Sequence, residues 1–315
     1  MASRVDPDMQ DVFRRRRLIA IGAVVGIVLL IWALSSLGGS SGSKAKGPPE
    51  LPRGGRVIFP HYRVVAYYGA PQNDELGILG IGTPDQAGRK LLARAPQFNR
   101  PRRPALPAME LIAVIAHASP GQDGLYRERQ TDAVIRRYLQ AARRAKALLI
   151  LDIQPGHANF LDEARALEPY LRLPDVGLAL DPEWSMPEGV VPGQAIGSTD
   201  AESINQVAEY LARLVRTYDL PQKLLLVHQF TEGMVTDDEQ IVAPPGVALV
   251  SNMDGFGTPE LKVGVYKQLT TPLLASGVDA GKHIGVKLFF KEDERLLSPR
   301  GVLALRPRPD VIVYE

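Results

Sequence analysis

Residues 147–184 read ALLILDIQPGHANFLDEARALEPYLRLPDVGLALDPEW. A leucine-rich run, Ala147–Gln154, is followed by a segment of helical period, Phe160–Leu171, and then by a second apolar run, Val176–Trp184, that ends in Asp-Pro-Glu-Trp. Two short apolar runs joined by a helical segment are the pattern of a βαβ unit, because parallel strands need a crossover connection.

Outward from this unit the pattern repeats. Strand-like runs stand at Arg63–Gly69, Met109–His117, Lys223–Phe230, Val247–Phe256, His283–Phe290 and Asp310–Glu315, which with the first two makes eight. Helical period marks Asp85–Ala95, Thr131–Lys146, Ala201–Tyr218, Pro259–Ala275 and Ser298–Leu305. Thr131-Asp132 and Thr199-Asp200 carry the side chains that helix starts prefer. Eight strands with crossover helices predict an α/β fold, a (β/α)₈ TIM-type barrel whose functional groups sit at the C-terminal ends of the strands. Two departures keep an open doubly wound parallel sheet as the alternative. Thr231–Pro245 has little helical period, and no helical segment follows the eighth strand, so the eighth helix is expected to be missing. The proline-dense Arg94–Pro107 reads as a surface loop.

Ahead of the domain, Leu18–Leu37 is an uncharged run of about the 20 residues that cross a bilayer's hydrocarbon core. Arg14 to Arg17 precede it and only Lys44 and Lys46 follow closely. The positive-inside bias then places residues 1–17 in the cytoplasm and the bulk of the chain on the far side. A cleaved signal peptide has a shorter apolar region, about 7–15 residues, so a retained single-pass anchor is the expectation. Residues 38–55, rich in Gly, Ser and Pro, read as a flexible tether, and residues 56–315 as one extracytoplasmic domain. The chain has no cysteine, which excludes disulfides and lipid-modified cysteine. A formal charge of only +2, with five arginines in residues 1–17, argues against a nucleic-acid partner.

Strand residues alternate between the barrel interior and the helix layer, so parity places polar side chains. On the fourth strand Leu178 and Leu180 suit the helix side, which turns Asp181 and Glu183 inward. The same reasoning turns Asp152 and Gln154 inward on the third strand, Asn252 and Asp254 on the sixth, and Lys287 on the seventh. Less decided are the first strand, Tyr67 or Tyr68, the fifth, His228 or Gln229, and the eighth, Tyr314 or Glu315; Tyr68, His228 and Tyr314 are taken as candidates. Carboxylates crowded at a barrel mouth repel one another and lose solvation, so at least one should keep its proton near neutral pH. Such a group, paired with a second carboxylate, is what glycoside hydrolysis requires. Trp184 follows the Asp181/Glu183 pair and offers an aromatic face to a sugar ring.

LALDPEW, with Asp-x-Glu closing the fourth strand, resembles the end of the motif of family 18 chitinase-like barrels and, more loosely, family 25 lysozymes. The resemblance covers the barrel plan and these residues. It implies that Glu183 is the acid and that Asp181 assists the substrate. Upstream, Gly177, Leu178, Ala179 and Leu180 replace the further acidic residues of the chitinase pattern, and NMDGFG lacks its tyrosine.

Other chemistries lack their signatures. None of the five histidines forms H-x-H or H-E-x-x-H, so no metal and no cofactor is expected; His117 and His228, at strand ends, stay open as the residual metal-ligand candidates. There is no G-x-S-x-G elbow, and Gly77–Gly82 has the wrong spacing for a dinucleotide fingerprint. The expected function is glycoside hydrolysis on cell-envelope polysaccharide or peptidoglycan-type glycan, with catalytic Glu183, Asp181, Asp152 and Asp254. Trp184, Tyr68, Gln154, His228, Asn252, Lys287 and Tyr314 are the expected substrate contacts. The alternatives are a silent barrel that binds glycan or an envelope protein, and an exported structural domain whose partner docks on the loop Arg100–Arg103.

Overall fold

A computed structural model describes residues 47–275 and 282–315. The tail, the apolar run Leu18–Leu37 and the first part of the tether lie outside the described residues. No helix among the described residues is long and apolar enough to cross a membrane.

Eight parallel strands close on themselves: β1 Arg63–Gly69, β2 Ala105–Ala116, β3 Leu148–Ile153, β4 Val176–Leu180, β5 Lys223–Gln229, β6 Val247–Met253, β7 Lys282–Leu288 and β8 Val311–Tyr314. They neighbour one another in chain order, and β1 pairs with both its successor and the last strand, Val64 aligning with Leu106 and with Val311. That double pairing excludes the open sheet. A short strand, Arg127–Arg129, adds antiparallel to the end of β2.

The helices are α1 Pro84–Arg94, α2 Asp132–Arg144, α3 Phe160–Ala166, α4 Glu168–Leu171, α5 Ala201–Tyr218, α6 Pro259–Ala275 and α7 Pro299–Ala304. Their starts are chemically defined. Thr83 and Gln86 form a capping box on α1, and Thr131 and Asp200 cap α2 and α5 by accepting from Val134 and Ser203 amides. The single helix expected over Phe160–Leu171 is two, broken at Leu167, because Pro169 has no N–H for the i→i−4 ladder. Between β5 and β6 a 3₁₀ turn, Asp238–Gln240, replaces a crossover helix, and α5 packs against both strands.

Two segments depart from the sequence reading. Arg94–Pro107 is not a surface loop throughout: Phe98 is buried, and β2 already begins at Ala105. Pro107 is accommodated because the ladder with β3 starts only at Ala108, so one side of the strand is still unpaired there. The domain also begins before residue 56, its compact unit running from Pro48. Leu51 is buried with Ile58 and Phe59 against Val64, Leu106, Leu148, Leu224 and Val311, which closes the N-terminal end of the barrel. Gln222 Oε1 accepts from the Ile58 amide at 2.7 Å and fixes this plug.

Alternation holds around the sheet. Val65, Leu149, Leu151, Leu178, Leu225, Leu249, Val286 and Ile312 join the core under the helices, while Ala66, Ala108, Ile150, Ala179, Leu226, Val250 and Val313 fill the interior. On β7 the interior position below Lys287 is Gly285, where a Cβ would lie 2.1 Å from Asn252 Oδ1 and 3.2 Å from Val311 Cβ. Gly285→Ala should therefore cost about 1–3 kcal/mol, the scale of overpacking, read as a lowered urea midpoint at unchanged slope. An unchanged midpoint would mean that Asn252 moves freely.

Candidate functional site

All eight strands deliver a polar side chain to the C-terminal end of the barrel. They are Tyr68, Glu110, Asp152 with Gln154, Asp181, His228, Asn252 with Asp254, Lys287 and, directly after β8, Glu315. After β4 the 3₁₀ turn Pro182–Trp184 carries Glu183. A cleft of about 230 Å³, open to solvent, is lined by Tyr68, Gln154, Glu183, Trp184, Asp254 and Lys287, with Phe256, Phe289 and Glu315 among its other walls.

Lys287 anchors one side. Its ammonium lies 2.7 Å from Glu315 Oε2, 3.4 Å from Asp254 Oδ2 and 3.6 Å from the centre of the Tyr68 ring. Behind the cleft, His228 Nδ1 meets Asp254 Oδ2 at 2.7 Å and Nε2 meets Glu110 Oε1 at 2.9 Å. The Asn252 amide donates to Asp254 Oδ1 at 2.6 Å. Tyr68 donates to Asp152 Oδ2 at 3.2 Å and accepts from Gln154 Nε2 at 3.3 Å.

These contacts separate the carboxyl groups. Burial, relieved in part by Lys287, leaves Glu183 above the usual carboxylate range. Burial and then repulsion from Glu183 and Asp152 push Asp181 well above it. Asp152 is raised to about 7, by burial first, with His228 opposing. Burial also opposes ionisation of Asp254, but His228 and Lys287 outweigh it and hold that carboxyl below the usual range. Burial likewise opposes charge on His228 and Lys287; Asp254 and Glu110 hold the imidazolium up, and Glu315, Asp254 and Asp181 the ammonium. One cleft thus presents two carboxyl groups of opposite tendency, Glu183 raised above the usual range and Asp254 held below it.

Of the residues read from sequence, Glu183, Asp254, Trp184, Tyr68, Gln154 and Lys287 line the cleft. Asp152, Asp181, His228 and Asn252 are buried and do not line it. Tyr314 is a correction: it lies on the helix side, stacked on Phe290 with ring centres 5.5 Å apart and the Arg94 guanidinium 5.2 Å from its ring. The residue of interior parity is Glu315, continuing Val311 and Val313. Glu110 went unread although the sequence marks it, the one charged residue in the twelve of β2 and in phase with interior Ala108 and Ile112. Phe256, 58 % exposed at the cleft, has no such signal because it stands beyond β6, where alternation stops. Glu110, Asp152 and His228 also bring one potential metal-ligand atom each within 4.8 Å of one another.

No family model matches the chain, and no curated protein matches it. Among solved structures it is similar to the clostridial cellulose synthase subunit Z from Clostridioides difficile, with 10 % identity over 81 % of this chain and 91 % of that one and a TM-score of 0.44. It is also similar to a hyperthermophilic endo-β-1,4-glucanase, with 8 % identity over 79 % and 88 % and a TM-score of 0.37. A third likeness is oxaloacetate acetylhydrolase, with 10 % identity over 80 % and 67 % and a TM-score of 0.30. Likeness at this level carries no argument about chemistry, which rests on the side chains themselves.

Replacing Lys287 by Met leaves Asp254 and Glu315 without their shared ammonium. The expected cost is about 3–5 kcal/mol, as for other broken buried pairs, measured by denaturant unfolding near neutral pH. A loss under about 1 kcal/mol, the scale of exposed pairs, would show that the carboxylates do not depend on Lys287.

Proposed function

We propose that the domain is a glycoside hydrolase acting on cell-envelope polysaccharide, anchored in the membrane by Leu18–Leu37 and facing the extracytoplasmic side. The observation that carries the chemistry is the pairing of Glu183, whose hold on its proton burial strengthens, with Asp254, whose hold His228 and Lys287 weaken, in one cleft beside Trp184. Glu183 donates the proton to the leaving glycosidic oxygen, and Asp254 faces the positive charge that develops at the sugar carbon. Trp184 and Phe256 offer flat apolar faces to the CH face of a sugar ring.

The division of labour differs from that of the family 18 pattern in one respect. Asp181 has the sequence position of the substrate-assisting Asp, but it is buried behind the cleft. Burial and repulsion from Glu183 raise its own pKa, which disfavours a second negative charge behind the cleft. Asp152, also behind the cleft, holds Tyr68 in place through its hydroxyl. The membrane anchor rests on the length of the apolar run and the arginines ahead of it.

The test is reducing-sugar release from a panel of envelope polysaccharides by the full chain in detergent. Glu183→Gln should lower release by about 10²–10⁴-fold, the usual contribution of a general acid. Because Glu183 works in its protonated form, activity should fall as pH rises through its elevated pKa. No release from any substrate, or full activity in Glu183→Gln, would sink the hydrolase; binding without cleavage, lost in Trp184→Ala, would identify a silent glycan-binding barrel. Protease added outside intact cells should digest the domain and spare the segment up to Arg17; protection of the domain would reverse the orientation.

A further inference from the structure

Behind the cleft, three neighbouring interior positions carry groups that take no direct part in the proton transfer of the hydrolytic reading. Glu110 on β2, Asp152 on β3 and His228 on β5 are 0 %, 0 % and 1 % exposed. One donor atom from each lies within 4.8 Å of the other two. Each carboxylate has one satisfied oxygen: Glu110 Oε1 faces His228 Nε2, and Asp152 Oδ2 accepts from Tyr68. The other oxygen of each, Glu110 Oε2 and Asp152 Oδ1, is buried with no hydrogen-bond partner. A buried polar atom left in that state costs about 1–3 kcal/mol, more on a charged group, so two in one cluster call for a ligand that accepts electron pairs.

The imidazole is held in the manner of a metal ligand. Asp254 Oδ2 lies 2.7 Å from Nδ1, and the Asn252 amide fixes the other oxygen of Asp254 at 2.6 Å. Nε2 is thereby directed toward Glu110. Metal-bound histidines characteristically donate their second N–H to a carboxylate, which sets the tautomer and the ring orientation. The ligating carboxylate Asp152 has its own outer support, the Gln154–Tyr68–Asp152 chain of hydrogen bonds.

We propose that Glu110, Asp152 and His228 form a binding site for one divalent transition-metal ion, of the zinc or manganese kind, behind the floor of the cleft. One imidazole nitrogen and two carboxylate oxygens suit these ions; calcium takes six to eight oxygen ligands, and magnesium keeps several waters that a sealed site has little room for. The ion takes the place of the proton on Nε2, draws on the two buried carboxylates and adds positive charge beside a group of acidic side chains. The sequence hides the set because its ligands come from three strands with no fixed spacing, unlike motifs carried on one helix. The inference does not rest on the glycan reading, and its readout is metal content.

The full chain, purified in detergent and stripped with a chelator, is re-equilibrated with Zn²⁺ or Mn²⁺ and assayed by elemental analysis and titration calorimetry. The expected result is one ion per chain. Affinity should fall more than about tenfold in Glu110→Gln and by about 10–100-fold in Asp254→Asn, the usual range for an outer-sphere partner. His117→Ala, which removes a histidine from a different loop, should bind as the wild type does. Where the buried variants do not fold, pulsed electron spin resonance of Mn²⁺ on the wild type decides. Coupling to a single imidazole nitrogen supports the site; coupling to water protons alone overturns it, as does the failure of the wild type to hold either metal or equal binding by folded Glu110→Gln.

Discussion

The closed parallel ladder is the constraint from which the remaining structure follows. Because β1 hydrogen-bonds to both β2 and β8, no strand edge is left in the barrel wall, and every strand has one face turned to a narrow interior. Volume is scarce there. Gly177 and Gly285 occupy interior positions where a Cβ would approach Leu224 O to 3.1 Å and Asn252 Oδ1 to 2.1 Å, and Ala66, Ala108, Ala179 and Ala248 fill others. Branched apolar residues and the plug of Leu51, Ile58 and Phe59 take the lower part. Polar side chains gather at the C-terminal end, where the strands finish beside solvent.

Concentrating acids in so small a space sets the electrostatics. Glu110, Asp152, Asp181, Glu183, Asp254 and Glu315 share the end of the barrel with two buried cations, Lys287 and His228. Two cations could not compensate six carboxyl groups if all were ionised, so the groups sort themselves by access to positive charge. Asp254, touching both cations, ionises readily, whereas Asp181, surrounded by other acids and sealed from water, holds its proton. Opposite protonation preferences thus arise within one site from differences in neighbours and not from residue type, since both are aspartates.

Much of this was legible in the sequence because it depends on period alone. The eight strands and their order follow from apolar runs, and parity places Asp152, Asp181, Asn252, Asp254 and Lys287 on the interior face, where the structure has them. Parity fails where apolar bulk is not diagnostic. At the end of β8 both Tyr314 and Glu315 are plausible interior residues, and the aromatic ring is drawn to the helix side by Phe290, Phe98 and Arg94, residues remote in sequence. Composition misleads at residues 48–55, where glycine and proline suggest a tether but Leu51 is buried and Tyr62 hydrogen-bonds to the Arg53 and Gly54 carbonyls. The grouping of Glu110 with Asp152 and His228 could not be read at all, because strand neighbours in a barrel are set by closure and register.

The plug at the lower end of the barrel has a consequence for traffic. With Leu51, Ile58 and Phe59 seated against the first interior layer and branched side chains above them, the barrel is a vessel with a floor and not a conduit. A molecule that enters the cleft has to retreat through the opening it came by, so an arriving and a departing molecule contend for one doorway. A long polymer cannot be drawn through the domain; it must lie across the rim or offer a terminus to it.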